Sequence, residues 1–433
     1  MWWKIAQVAA MIGDGLGQRI KSARPDRSCR FSFAGISALL SAFFLFPFLS
    51  LAASSDVPPP VGLTNFYQAL DALEAGHSKK GLVILHLGDS HIAIDHMTGE
   101  MRRRWQALFG DAGRGLAPGV PYRYYGPQGY DITMSSGWSI ASSLRGDVGG
   151  PFGISGFRAE ATSRDARMEL TSRQEIRTVE IEAYGGPDTG AILLKLGDAA
   201  ALRLSTRLST AGVVVLRVPA AKVYEVELAP AGDGQVTILG WTMLGSSDHP
   251  GVRYDSYGIS GATLDIVSHW TPSIVDEEVK RLAPDLILLG YGTNEGFNDH
   301  MDAEVYGSRY ATFAKRLKAL APHASIVVLG AFDAARRTQH ADRQLCETGW
   351  AIPPNLKKLR QKQRQVADKM GLRFIDGSLI MGGPCGISAW VHQVPPLAWP
   401  DHVHLRPEGA RRAGTAIWNQ IMQPYMSRMP RHR

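Results

Sequence analysis

Four short stretches of the chain hold residues that could do chemistry together. Gly88-Asp89-Ser90 ends an apolar run and offers a hydroxyl. Asp401 and His404 stand three residues apart, a spacing that puts both side chains on one side of a turn or first helical round. The carboxylate could then hold one imidazole nitrogen while the other faces a serine. Gly258 and Gly261 flank a loop whose backbone N–H can approach an anion with no Cβ in the way. Asn294, two residues past Gly292, offers a side-chain amide. A nucleophilic hydroxyl, a base, an acid to orient the base and donors for an oxyanion are what acyl transfer through a serine requires. Each stretch also has a plainer reading. Ser90 could cap a helix, as could Asp401 with His404 on the surface, and the glycines and Asn294 could be turn formers. His91, His392 and His402 read as supporting or local. What singles the set out is its order, with every member at or just beyond the carboxyl end of a predicted strand. No cysteine–histidine spacing suits a metal, and no organic cofactor is implied.

The elements that must position these residues are legible from hydrophobic period. Leu82 to Leu87 reads as a buried strand of a parallel sheet, and the carboxyl ends of such strands are where open α/β sheets place ligands. Met97, Met101, Trp105 and Leu108 predict one face of a following helix, and Arg102-Arg103-Arg104 a solvated face without a partner. A helix is expected over about 64–75, a strand followed by a glycine-rich turn over 251–262, strands over 285–290, 325–329 and 372–375, and helices over 273–282, 303–320 and 354–370, with a last helix starting near Pro407. Strands alternating with helices define an α/β fold with a parallel sheet covered on both faces. Between 115 and 250 the helical period disappears. Short alternating runs at 178–184, 191–196, 212–218, 223–228 and 236–244 predict an inserted β-sandwich. The expected organisation is a leader over 1–53, an α/β domain in two parts over 54–114 and 251–433, and the insert over 115–250.

Composition fits a globular protein with a sizeable core, 45% hydrophobic and 20% charged over 433 residues. The formal charge of +7 owes more than half to the leader, where Lys4, Arg19, Lys21, Arg24, Arg27 and Arg30 outnumber Asp14 and Asp26. The nearly balanced remainder gives no reason to expect nucleic acid as a partner. Residues 31–53 carry no charge, follow basic residues and end in small ones. They read as a secretory signal with a long basic region, or as an uncleaved anchor tethering the protein to the inner membrane. Either places the body of the chain outside the cytoplasm. There Cys346 and Cys385 could form a disulfide, although two buried thiols fit the sequence equally.

The succession Gly88-Asp89-Ser90, Gly261, Gly292-Thr293-Asn294 and Asp401-His402-Val403-His404 resembles the SGNH, or GDSL, hydrolases. The resemblance implies a three-layer α/β/α, flavodoxin-like hydrolase domain. It implies Ser90 as nucleophile, Asp401 and His404 completing a catalytic triad, and an oxyanion hole from the Ser90 and Gly261 amides with Asn294. The longer stretches Gly88-Asp89-Ser90-His91, Thr98 to Arg102, Phe109 to Gly115 and Tyr254 to Ala262, together with the insertion, are similar to the periplasmic peptidoglycan O-acetylesterases. In that branch the inserted module resembles a carbohydrate-binding sandwich. Ser260 stands where that branch leads one to expect asparagine. The expected function is a serine esterase removing O-acetyl groups from a cell-envelope glycan, with peptidoglycan first. The alternatives are a deacetylase or acetyltransferase for an exported exopolysaccharide such as cellulose or alginate, and a non-catalytic glycan-binding protein.

Overall fold

The computed structural model describes residues 60–118, 120–121, 126–245, 250–339 and 345–428, so the expected leader and most of the proline-rich linker lie outside the described residues. Helix α1 (Thr64–Glu74) leads to β1 (Leu82–Gly88), which is followed at once by α2 (Ser90–Ala93) and α3 (His96–Phe109). Nine strands come next: β2 (Gly115–Pro118), β3 (Tyr130–Met134), β4 (Ser139–Ser142), β5 (Phe157–Ala161), β6 (Met168–Gly185), β7 (Ala191–Leu196), β8 (Leu202–Ser205), β9 (Gly212–Pro230) and β10 (Val236–Leu244). The alternating pattern then resumes with β11 (Val252–Gly258), α4 (Pro272–Leu282), β12 (Leu286–Gly290), α5 (Thr293–Gly296), α6 (Ala303–Leu320) and β13 (Ser325–Gly330). Three short strands follow, β14 (Arg336–Arg337), β15 (Leu345–Glu347) and β16 (Trp350–Ala351). The chain closes with α7 (Pro354–Met370), β17 (Arg373–Asp376), α8 (Gly377–Ile380), α9 (Gly386–His392) and α10 (Pro407–Met426).

The central sheet is parallel and runs β11-β1-β12-β13-β17. Counted along the chain this is the order 2-1-3-4-5 of flavodoxin-like folds. Successive side chains of a strand point to opposite faces, and both faces here are covered. Leu82, Ile84, Leu286, Leu288, Val327 and Leu329 pack with α1, α3 and α10. Their neighbours Leu85, Leu87, Ile287, Leu289, Ile326 and Val328 pack with α4, α6 and α7. The result is the expected three-layer α/β/α arrangement.

Two expectations for α3 need correcting. Leu108 is 55% exposed, because the apolar face ends at Trp105, one turn before the helix does. Arg102 is buried rather than solvated. It reaches back seven residues to Asp95, contacting both carboxylate oxygens at 3.1 Å. Arg103 and Arg104 both pair with Glu100.

The inserted region is sheet-rich, and its strands pair edge to edge as one nine-stranded sheet, with β6 and β9 as its long members. β6 pairs with β9 along one edge and with β3 and then β10 along the other. The runs expected as two strands at 212–218 and 223–228 form one strand. Lys222, at φ 59°, takes up the irregularity in register with β6. Buried residues of this sheet, including Phe157, Ile181 and Trp241, join the core that contains Val275 and Val279 of α4. The Thr271 N–H donates to the Phe152 carbonyl and Thr271 Oγ1 accepts the Phe152 N–H, Glu278 accepts the Ile154 N–H at 2.7 Å, and Arg281 pairs with Glu182.

Candidate active site

Three neighbouring strands end in glycine at one level, Gly88 lying beside Gly258 and Gly290 in register. A Cβ on Gly258 would stand 2.2 Å from the Ala93 nitrogen, and one on Gly88 2.5 Å from the Gly290 carbonyl oxygen. The turn after β1 can therefore fold directly over its neighbours. Asp89 caps α2 by accepting the His91 N–H at 3.0 Å, which fixes Ser90 as the first residue of that helix.

Ser90 Oγ lies 3.0 Å from His404 Nε2. His404 Nδ1 lies 2.7 Å from Asp401 Oδ2, and Asp401 Oδ1 accepts the backbone N–H groups of Val403 and His404, each at 3.0 Å. Burial would raise the Asp401 carboxyl, but the hydrogen bonds from the His404 ring and from the turn outweigh it and hold the group below its ordinary value. Nδ1–H donating to a carboxylate leaves Nε2 as the acceptor for the Ser90 hydroxyl proton. Residues 314 apart in the chain thus form one relay.

The loop after β11 carries Gly261 and the short helix α5 after β12 carries Asn294, β11 and β12 being the two strands that flank β1. Gly261 has φ 84°, with open space where a Cβ would project. Asn294 Nδ2 donates to the Ala262 carbonyl at 2.8 Å, using one of its two hydrogens. Glu295, next in sequence and buried, accepts the Leu264 N–H at 2.7 Å. These adjacent side chains bracket the Gly261 loop.

His402 and His392, read from the sequence as supporting or local, are held by partners the sequence did not point to. His402 adopts φ 57° and is buried. Its ring stacks on Trp350 with centroids 3.8 Å apart, and its Nε2 lies 3.0 Å from Glu347. Glu347 also holds His392, at 2.6 Å. Cys346, beside Glu347, is disulfide-bonded to Cys385 at the start of α9. The strained turn at 401–404 is thereby tied through Glu347 to a small sheet, β14-β16-β15, which the disulfide in turn fastens to the start of α9. A lone Ala398–Leu405 bridge closes the turn, and Trp399 N donates to the His404 carbonyl at 2.8 Å. The Trp399 indole is 41% exposed beneath the Arg406 guanidinium, 4.1 Å from the ring centroid. The one available signal for these supports was the clustering of Trp, His and Cys between 346 and 404.

A narrow hollow beside the relay, with room for about one water molecule, is lined by His91, His404, Ile94, Met97, Leu405 and Ala410. A roomier hollow lies at Thr64, Lys318 and Leu372 and includes none of the residues that could do chemistry. Among the described residues no group of three or more histidine, cysteine or acidic side chains could hold a metal ion.

A flavodoxin-like sheet with serine, glycine and asparagine at adjacent strand ends, and an Asp–His turn facing the serine, defines the SGNH-type hydrolases as a class. Residues 229–412 match the GDSL-like Lipase/Acylhydrolase family, and the chain carries a domain of that family. The matched segment contains Gly261, Asn294, Asp401 and His404, while Ser90 lies upstream of it across the inserted strands. Among solved structures, the fold matches "Peptidoglycan O-acetylesterase in action, 5 min" at 22% identity and TM-score 0.72, covering 85% of this chain and 98% of that one. A family two carbohydrate esterase from Clostridium thermocellum in complex with cellohexaose shares 11% identity over 63% of this chain and 95% of its own, with a TM-score of 0.30 too low to argue from. No curated protein matches by sequence.

Proposed function

We propose that this hydrolase removes O-acetyl groups from a cell-envelope glycan, peptidoglycan first among them, with Ser90, His404 and Asp401 as its triad. The observation that carries the reading is the unbroken relay from Ser90 Oγ through His404 to Asp401. Ser90 Oγ attacks the acetyl carbonyl carbon and its proton passes to His404 Nε2. Asp401 holds the imidazolium that results. The negative oxygen is received by the Ser90 and Gly261 amides and the second Asn294 hydrogen. As the tetrahedral intermediate collapses, the C–O bond to the sugar breaks and His404 returns the proton to the sugar oxygen. Water, deprotonated by His404, then attacks the acetyl-Ser90 ester, releasing acetate and restoring the serine.

Two features support an extracytoplasmic glycan as substrate. The Cys346–Cys385 bond suits an oxidising compartment. The exposed Trp399 ring offers an apolar face to the C–H side of a sugar, two residues from Asp401. The overall likeness to a peptidoglycan O-acetylesterase agrees with this choice. Among the described residues no helix is long and apolar enough to cross a membrane.

The test is acetate release by the purified protein from O-acetylated peptidoglycan beside acetylated cellulose and alginate. Release from peptidoglycan with at least tenfold higher kcat/KM is expected. Preference for an exopolysaccharide would change the polymer and keep the chemistry. Binding without release would leave a glycan-binding protein. Transfer of acetyl to an added sugar instead of water would make it an acetyltransferase.

A further inference from the structure

We propose that His91 is a permanently protonated clamp, whose imidazolium joins the turn carrying Ser90 to the turn carrying Asp401 and His404. It rests on two contacts. His91 Nδ1 lies 3.1 Å from Asp89 Oδ1, and His91 Nε2 lies 3.2 Å from the Val403 carbonyl oxygen. A carbonyl oxygen can only accept. Asp89 Oδ1 already accepts the His91 backbone N–H at 3.0 Å, so it too is an acceptor. A neutral imidazole has one N–H and would leave one contact with lone pairs facing each other. Only the doubly protonated ring satisfies both partners.

The surroundings favour that charge. The ring is 7% exposed, and burial by itself would discharge it. The Asp89 carboxylate and the hydrogen bonds to Asp89 and Val403 outweigh burial and raise the group above its ordinary value. Asp401 adds a second, more distant negative charge. The other faces bring the Phe332 ring, 5.0 Å away, and the His404 ring, stacked at 6.0 Å. His96 is the remaining titratable group on the shared hollow. Asp89 and His91 therefore form a buried ion pair with zero net charge, in which Asp89 Oδ1 accepts from both the ring and the backbone of His91 while Oδ2 has no partner among the described residues.

Position gives the pair its role. Asp89 and Ser90 belong to one turn, Val403 and His404 to another, and the ring of His91 spans the two. The clamp is thus a positioning device for the Ser90–His404 contact rather than a participant in it. This inference takes the triad of the proposed function as its setting, but the charge state of His91 can be measured without it.

The experiment has two arms. In the full-length protein labelled with ¹⁵N-histidine, the ring of His91 is assigned through contacts to the Val403 backbone and observed at pH 8. Both ring nitrogens are expected to carry hydrogen, and a bare nitrogen at either position would overturn the proposal. In the second arm, His91→Gln keeps a donor for only one partner. Its kcat for an aryl acetate should fall by about 10- to 100-fold with KM little changed, the scale set by small misplacement of reacting groups. Wild-type kcat in that variant would overturn the clamp, and if it does not fold the labelled wild-type protein still decides the charge state. The two readings fail separately. Activity surviving in folded Ser90→Ala would end the triad assignment while leaving both His91 N–H signals in place.

Discussion

Replacing Glu295 with glutamine should make the protein more stable at neutral pH and not at acid pH. Glu295 sits beside Asn294 with one oxygen accepting the Leu264 N–H and the other, Oε2, buried without a hydrogen-bond partner. Burial raises its carboxyl from 4.5 to about 7, against the hydrogen bond from Leu264. At about 1.4 kcal/mol per pH unit, that rise corresponds to ~3 kcal/mol. The sign follows from proton counting. Between 4.5 and about 7 the folded state binds a proton that the unfolded state has lost, so stability falls as pH rises through this window. Above it, the folded protein carries the full cost of a buried carboxylate. Glu295→Gln removes the charge and keeps an acceptor for Leu264. Urea midpoints at pH 5 and pH 8, at one ionic strength, should show the variant gaining ~3 kcal/mol on the wild type between the two. A stability difference independent of pH would refute the argument. Glu295→Ala, which removes the brace from the Gly261 loop, should instead lose activity.

Other outcomes follow from the same geometry. Ser90→Ala and His404→Ala should each lower aryl acetate hydrolysis by at least about 10⁴-fold with the fold intact by circular dichroism, because triad members act as a unit. Asn294→Ala should reduce kcat by about 10²–10³, the usual effect of removing one oxyanion donor. Trp399→Ala should raise KM for an acetylated polymer while leaving aryl acetate kinetics unchanged, and equal effects on both would remove its assignment to sugar. Replacing Cys346 and Cys385 by serine should destabilise the protein by ~4 kcal/mol, as expected for closing a loop of 39 residues, measurable by urea unfolding.

The parts of the fold legible in the sequence were those whose signal is local. The expected helices at 303–320 and 354–370 coincide with α6 and α7, because their apolar period and end signals lie within them. The strands ending at Gly88 and Gly290 announced themselves by unbroken apolar runs, and the Asp401–His404 spacing contained its own geometry. What escaped was long-range. Arg102 reads as solvated until Asp95 is seen folded back against it. His91 is one histidine of thirteen until Val403, 312 residues away, meets its ring. The small β14-β16-β15 sheet has strands of two or three residues, too short for any period to register.

The way the inserted strands join the central sheet decides how they can be studied. β11 is the outermost strand of that sheet, bonded to β1 on one side only. On its other side lie the residues leading into the insertion and then its first strand. Val252 N donates to the Gly110 carbonyl, Asp111 bridges to Val252, and within the insertion a Cβ on Gly115 would meet the Asp255 carboxyl at 2.4 Å. An outermost strand left bare is a template for pairing with other chains. Cutting out residues 115–244 would leave the contacts at Val252 but bare the part of that edge beside Asp255, together with the apolar side of α4 that Ile181 and Trp241 help to cover. Self-association would then be hard to tell from loss of glycan contacts. The module covers part of β11 and α4, so whether it takes part in recognition is better tested by single changes on its exposed face than by excision.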